Sequence, residues 1–265
     1  TIDRAFLTYN RDKWELSLGR QRINWGKTYI WNPNDLFNTY SYLDFDYEER
    51  PGTDAIRFQY FLGYASGFEL AYAPRGSFEE SVLAGLWKFN KWNYDFQVLF
   101  GNFNDELTVG FGWAGDLWGI GYKGELGYFI PRGQNQSNFL NASISLDYAF
   151  PNSLYLQAEF LWNGNWQDDA NPAILFVEPL PANNLFPGKA VLFTGLTYQL
   201  HPLISTSLSS IMAPGENLYI IVPGLTFSLR NNLDLLLTSQ ILRSKELEQV
   251  SPNTYLVFAR LKWSF

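Results

Sequence analysis

The chain has 265 residues, 46% of them hydrophobic, no cysteine and a formal net charge of −7. Lack of cysteine excludes a disulfide frame, a thiolate metal site and a thiol nucleophile, and the acidic balance argues against a nucleic-acid partner, which calls for clustered cations. Mean hydropathy is −0.16, and no run of roughly eighteen apolar residues occurs, so no helical membrane span is written here; alternating strands remain open.

Thr1 leads almost directly into strand-like sequence, and no signal peptide is evident, so the chain reads as mature or trimmed. Periodicity then predicts fifteen strands and no helix, over 2–9, 13–23, 54–62, 67–74, 80–90, 92–102, 106–115, 117–130, 139–150, 153–163, 189–200, 202–212, 217–229, 232–243 and 253–265. Within 92–102 one face carries Trp92, Tyr94, Phe96, Val98 and Phe100, the other Asn93, Asp95, Gln97 and Gly101. Within 139–150, Leu140, Ala142, Ile144, Leu146, Tyr148 and Phe150 oppose Asn141, Ser143, Ser145 and Asp147.

Tight turns read at Asn10–Asp12, Gly63–Gly67, Asn90–Lys91, Gly115–Asp116, Pro151–Asn152, His201–Pro202 and Asn231–Asn232. Between them fall longer links, chiefly 24–53 and 164–188. Short turns alternating with long loops, and strands near the nine to eleven residues that cross a bilayer at a tilt, describe an outer-membrane barrel better than a soluble sandwich. The aromatic content of 18% suits two interfacial girdles. The final strand, Tyr255 to Phe265, alternates in the same way, with Leu256 and Phe258 on the inner parity beside Arg260 and Lys262. It looks like the closing strand and sorting signal read by the barrel-assembly machinery, with Trp263 and Phe265 as its aromatic elements.

The fold expectation is therefore an all-β, transmembrane antiparallel up-and-down barrel: one domain, 1–265, in the outer membrane of a Gram-negative bacterium. The best count is sixteen strands in the full protein with fifteen here and an N-terminal strand missing, or fourteen if two short candidates fail. Charges in mid-strand would cost about 2–4 kcal/mol each against lipid at the midplane. The lumen candidates are therefore Arg57, Glu69, Lys88, Asp95, Glu106, Lys123, Glu125, Asp147, Glu159, Asp234, Arg260 and Lys262.

The densest motif is Gly19-Arg20-Gln21, Trp25-Gly26, Asn32-Pro33-Asn34-Asp35-Leu36 and Arg50-Pro51-Gly52. It resembles porin-like outer-membrane proteins, including families of unassigned function and distant relatives of the alginate-export barrels. That resemblance covers about the first sixty residues beyond the general barrel pattern and implies transport without naming a substrate. An arginine-rich, polyanion-passing lumen is not matched, because acids dominate the inward positions.

Arg20 and Arg22 share the parity of Trp14, Leu16 and Leu18, so a bulge near Gly19 or an early exit from the membrane is needed to aim them inward. With Arg50 they are expected to pair with Asp35, Asp44, Asp46, Glu48 or Glu49, folding the 24–53 loop into a constriction; rim salt bridges are the alternative. The acidic run 44–49 and Asp168-Asp169 match no EF-hand spacing and read as solvated loop faces. Ala173–Val177 reads equally as a short strand, a lid or an apolar patch.

The single histidine, His201, precedes Pro202 in a turn, and neither a G-x-S-x-G elbow nor an H-E-x-x-H pair is present, so no enzyme, catalytic residue, metal or cofactor is expected. The expected role is passive diffusion or uptake of small solutes through a pore narrowed by 24–53. The alternative is an accessory barrel with a closed lumen that docks a partner protein through its extracellular loops. Pro223 in mid-strand gives a weaker hint of a lateral opening. Expected partners are outer-membrane lipid, lipopolysaccharide and the barrel-assembly machinery, with no nucleic acid.

Overall fold

The structure is a computed structural model that describes residues 3–39, 41–43, 52–77, 79–133, 136–167, 174–175, 180–244 and 253–264. Among the described residues fifteen strands form one sheet in strict chain order, each antiparallel to the next. They are β1 (Ala5–Arg11), β2 (Trp14–Gln21), β3 (Thr53–Gly63), β4 (Ser66–Ala73), β5 (Val82–Lys91), β6 (Tyr94–Phe103), β7 (Glu106–Leu117), β8 (Ile120–Pro131), β9 (Phe139–Ala149), β10 (Leu154–Asn163), β11 (Ala190–His201), β12 (Ile204–Ala213), β13 (Leu218–Arg230), β14 (Leu233–Arg243) and β15 (Thr254–Trp263). Each predicted strand is present, most within two residues of its expected ends. The fold is an all-β, up-and-down wall of the outer-membrane type. A 3-10 turn, Pro214–Glu216, joins β12 to β13.

All the connections at one end are tight. Several hold residues with positive φ, such as Asp12 (49°), Asn93 (62°), Trp118 (56°) and Ser153 (67°). These are backbone states that two-residue hairpins require. Register shifts at Phe61/Gly63, Gln199/His201 and Ser228/Arg230 sit at the same end, where they add twist as the chain turns. The opposite end carries the long links 22–52 and 164–189.

The wall curls around the first of those links. Side chains of β6 (Gln97), β8 (Glu125), β10 (Glu159), β12 (Ser209) and β14 (Gln240) all bond to one segment between Trp25 and Leu43. A flat sheet of this width would separate them by far more than a side chain's reach, at about 4.8 Å per strand. No ladder joins β1 to β15 among the described residues. At these edges belt residues lose a neighbour: Leu7 and Val257 are each 80% exposed, against 37% for Phe58 and 40% for Leu237 inside the wall.

The outer face is a continuous apolar belt, far larger than a water-soluble monomer tolerates. Near the tight turns, the rings of Phe68, Trp87, Phe89, Phe96, Phe111, Trp113 and Tyr122 form one chain across β4 to β8. Successive centroids lie 4.6–6.1 Å apart. Aromatic rings at that level form the interfacial girdle of a membrane barrel. Among the described residues no helix is long and apolar enough to cross a membrane, which says nothing of strands.

Candidate functional site: a plugged lumen with a blind cup

The segment from Ile23 to Leu43 fills the lumen. Ile23, Trp25, Ile30, Trp31, Leu36 and Phe37 are buried, as are Asn34 and Asp35. A non-helical, non-strand segment inside a barrel must find partners for its own amides. The wall supplies them as carboxylates. Glu125 accepts the backbone N–H groups of Lys27, Thr28 (2.9 Å) and Asn34 (3.0 Å), and the Thr28 hydroxyl (3.1 Å). Glu159 accepts those of Tyr29 (2.9 Å), Ile30 (3.1 Å) and Trp31 (2.7 Å), and the Ser145 hydroxyl (3.0 Å). Hydrogen bonds to an ionised group contribute about 1.5–3 kcal/mol each, so these two carboxylates fix the path of the segment.

Other wall groups extend the clamp. Ser143 donates to the Trp31 carbonyl (2.8 Å), Gln97 to the Trp25 carbonyl (2.6 Å) and Gln240 to the Leu43 carbonyl (2.7 Å). The Trp25 indole N–H donates to Glu69 (3.0 Å), whose carboxylate also holds Arg57 (2.6 Å) and Lys88. Two glycines make room for the Asn32-Pro33-Asn34 turn. A Cβ on Gly110 would lie 2.3 Å from the Asn34 side-chain oxygen, and one on Gly127 would lie 3.0 Å from Pro33 Cβ.

The lumen is zoned along its axis. Towards the long loops its wall is apolar: Phe103, Phe129, Leu161, Val191, Phe193, Leu218, Ile220 and Leu242 pack with the segment in two clusters. Described residues of the second long link pack over this end. Asn141 and Asn163 donate to the carbonyls of Ala182 (3.3 Å) and Phe186 (2.6 Å), Phe186 meets Trp31 edge-on at 5.8 Å, and Leu175 packs into the same cluster. The middle zone is the polar clamp.

Towards the tight turns lies a polar cup. It carries Lys88, Asp95, Lys123, Asp147 and Gln157 from the wall, and Lys27 and Tyr29 from the floor. The Tyr29 hydroxyl donates to Asp147 (2.6 Å), and the Lys123 ammonium stands 3.7 Å above the Tyr29 ring. Burial pushes the pKa of the Lys27 ammonium below its ordinary value, with Asp95 opposing that shift.

The expected inward residues Arg57, Glu69, Lys88, Asp95, Lys123, Glu125, Asp147 and Glu159 do face the lumen. Glu106 takes a bond from Asn183 (2.9 Å) at the loop end, and Asp234 takes one from Ser228 (2.5 Å) near the tight turns. Arg260 and Lys262 lie on the inner parity of β15, and Trp263 is exposed at its end.

Arg20 does not take the inward aim expected of it. It keeps its outward parity on β2 and pairs with Asp54 of β3 at 2.8 Å on the outer rim, without a bulge to turn it inward. Arg22 is half-buried at the root of the segment and Asp35 is buried within it. Arg50, Phe265, the acidic run 44–49 and Asp168-Asp169 lie outside the described residues.

Among the described residues the segment is thus held by wall carboxylates on loop amides. Backbone amides leave no mark in a sequence, so that arrangement had no signal beyond the density of the motif itself. Among the described residues no cluster of three or more acidic or histidine side chains converges as a metal site.

No protein-family model matches the chain, and no curated protein sequence does. Among solved structures the chain is similar to Wzi of Escherichia coli, with a TM-score of 0.64 at 11% identity over 98% of this chain and 70% of that one. Wzi is described as an outer-membrane protein involved in group 1 capsule assembly and a carbohydrate-binding β-barrel. At that identity the likeness is one of fold: this chain has the architecture of an outer-membrane β-barrel.

Proposed function

We propose that this protein is a closed-lumen barrel of a bacterial outer membrane, acting at the cell surface by binding carbohydrate rather than by passing solutes. One observation carries the closure: the Ile23–Leu43 segment is buried across the lumen and bonded to strands from β4 to β14. The apolar upper wall argues that this closure is permanent. Each large side chain such as Leu161, Phe193 or Ile220 that lost its cover to water would cost about 1.5–3 kcal/mol, a cost that a gate opening on thermal energy does not meet.

The outward belt and girdle support a membrane location, with the tight turns facing the periplasm and the long loops outside. The shared fold with a carbohydrate-binding, capsule-assembly barrel supports the ligand class. We take the role to be non-catalytic. The experiment is reconstitution in planar bilayers together with a polysaccharide-retention assay on vesicles bearing the protein. Silent bilayers and retained polysaccharide are expected. Stepwise conductance of the unmodified chain would restore the diffusion-channel reading.

A further inference from the structure

A lumen sealed from the loop side leaves the tight-turn end as a blind cup rather than a passage, and a blind polar cup is a place to bind. Its cations are unevenly satisfied. Arg57 and Lys88 both engage Glu69. The ammonium groups of Lys27 and Lys123 have no carboxylate within ion-pair distance among the described residues; Lys123 rests on the Tyr29 ring. They are neighbours by construction. Glu125 holds the backbone N–H of Lys27, Lys123 stands two residues from Glu125 on the same inner face, and Tyr29 lies beneath Lys123.

The flanking acids Asp147 and Asp95 accept from the Tyr29 hydroxyl and from the Asn90 amide at 2.8 Å and stand beyond ion-pair distance of Lys27 and Lys123. The half-buried Lys27 ammonium has lost water, and Asp95 and Glu125 attract it only from beyond ion-pair contact, so desolvation outweighs that attraction, a deficit that an anion in contact relieves. Across the cup the wall changes character. Gln157 of β10, Thr197 of β11 and Ser207 of β12 face inward, and their side chains make no hydrogen bond among the described residues. That surface suits ligand hydroxyls.

We infer that the cup at the tight-turn mouth binds a small polyhydroxylated carboxylate, a uronic-acid type of sugar, with its carboxylate between Lys27 and Lys123 and its hydroxyls towards Gln157, Thr197 and Ser207. This rests on the closed lumen but not on carbohydrate binding at the loop face, and bilayer conductance tests the closure separately.

The experiment is calorimetric titration of the full chain in detergent micelles with glucuronate and with glucose. Native folding is checked by heat-modifiable migration on gels. Saturable glucuronate binding is expected, at least tenfold tighter than glucose. Lys27→Gln should weaken it at least tenfold, and Lys91→Gln, which changes a rim lysine lying over Trp92, should leave it unchanged. Glucuronate binding no tighter than glucose, no saturable binding of either, or full affinity in folded Lys27→Gln would overturn the inference.

Discussion

Gly110 of β7 and Gly127 of β8 are direct cross-strand partners, and the space left by their missing side chains is taken by Pro33 and Asn34 of the lumen segment. The wall is therefore shaped to its filling. Gly110→Val would place carbon atoms where the Asn34 side-chain oxygen and Leu99 now stand, and overpacking of this kind costs about 1–3 kcal/mol. A lower unfolding temperature is expected, with tryptophan emission shifted to the red as Trp25 and Trp31 loosen. An unchanged melting curve would show that the turn does not depend on this gap.

Glu125 and Glu159 together hold the five consecutive amides from Lys27 to Trp31. Replacing Glu159 with Gln removes the charge and leaves one amide oxygen for three N–H donors. Hydrogen exchange at residues 29–31 should accelerate by one to two orders of magnitude, at about 1.4 kcal/mol per tenfold, while the strands keep their protection. Equal protection in wild type and variant would remove the carboxylate from its clamping role.

Lys27 gives a pH signature. Its folded-state pKa lies below the ordinary value of 10.5 because burial disfavours the charged form. The charged ammonium therefore costs stability at neutral pH, and that cost disappears as pH rises from the lowered value through 10.5. In the absence of ligand, Lys27→Met should melt above wild type at pH 7, and the gap should narrow by pH 11. A constant gap across that range would assign the gain to packing instead.

The Arg20–Asp54 pair is solvent-exposed on the outer rim. Arg20→Gln is expected to leave both bilayer behaviour and melting temperature at wild-type values, since exposed ion pairs contribute little. A new conductance in that variant would return Arg20 to the lumen.

How much of this was legible beforehand follows from what each feature asks of its residues. Strands β9 and β10 were readable because Leu140 to Tyr148 and Leu154 to Trp162 alternate large apolar groups with Ser, Asn, Asp, Gln and Glu, and membrane geometry forces that period. The inward direction of Glu125 and Glu159 followed from the same rule. Their purpose did not, because a glutamate facing water and one facing a row of amides look alike in sequence. Likewise Arg20 drew attention for its charge, but its outward parity was the better guide. The apolar inner residues Leu161, Val191 and Ile220 also hid the plug: near strand ends, apolar positions on both parities read as thick strand rather than as half of a second core.

Leu43 and Gln240 are bonded across 197 positions of chain, and Ile23–Leu43 leaves the wall between β2 and β3, before most of it has been made. A stopper bonded to strands from β4 to β14 has its full set of partners only when those strands stand around it. Wall and stopper complete one another, so maturation of this protein is a problem of long-range closure, slow by its topology.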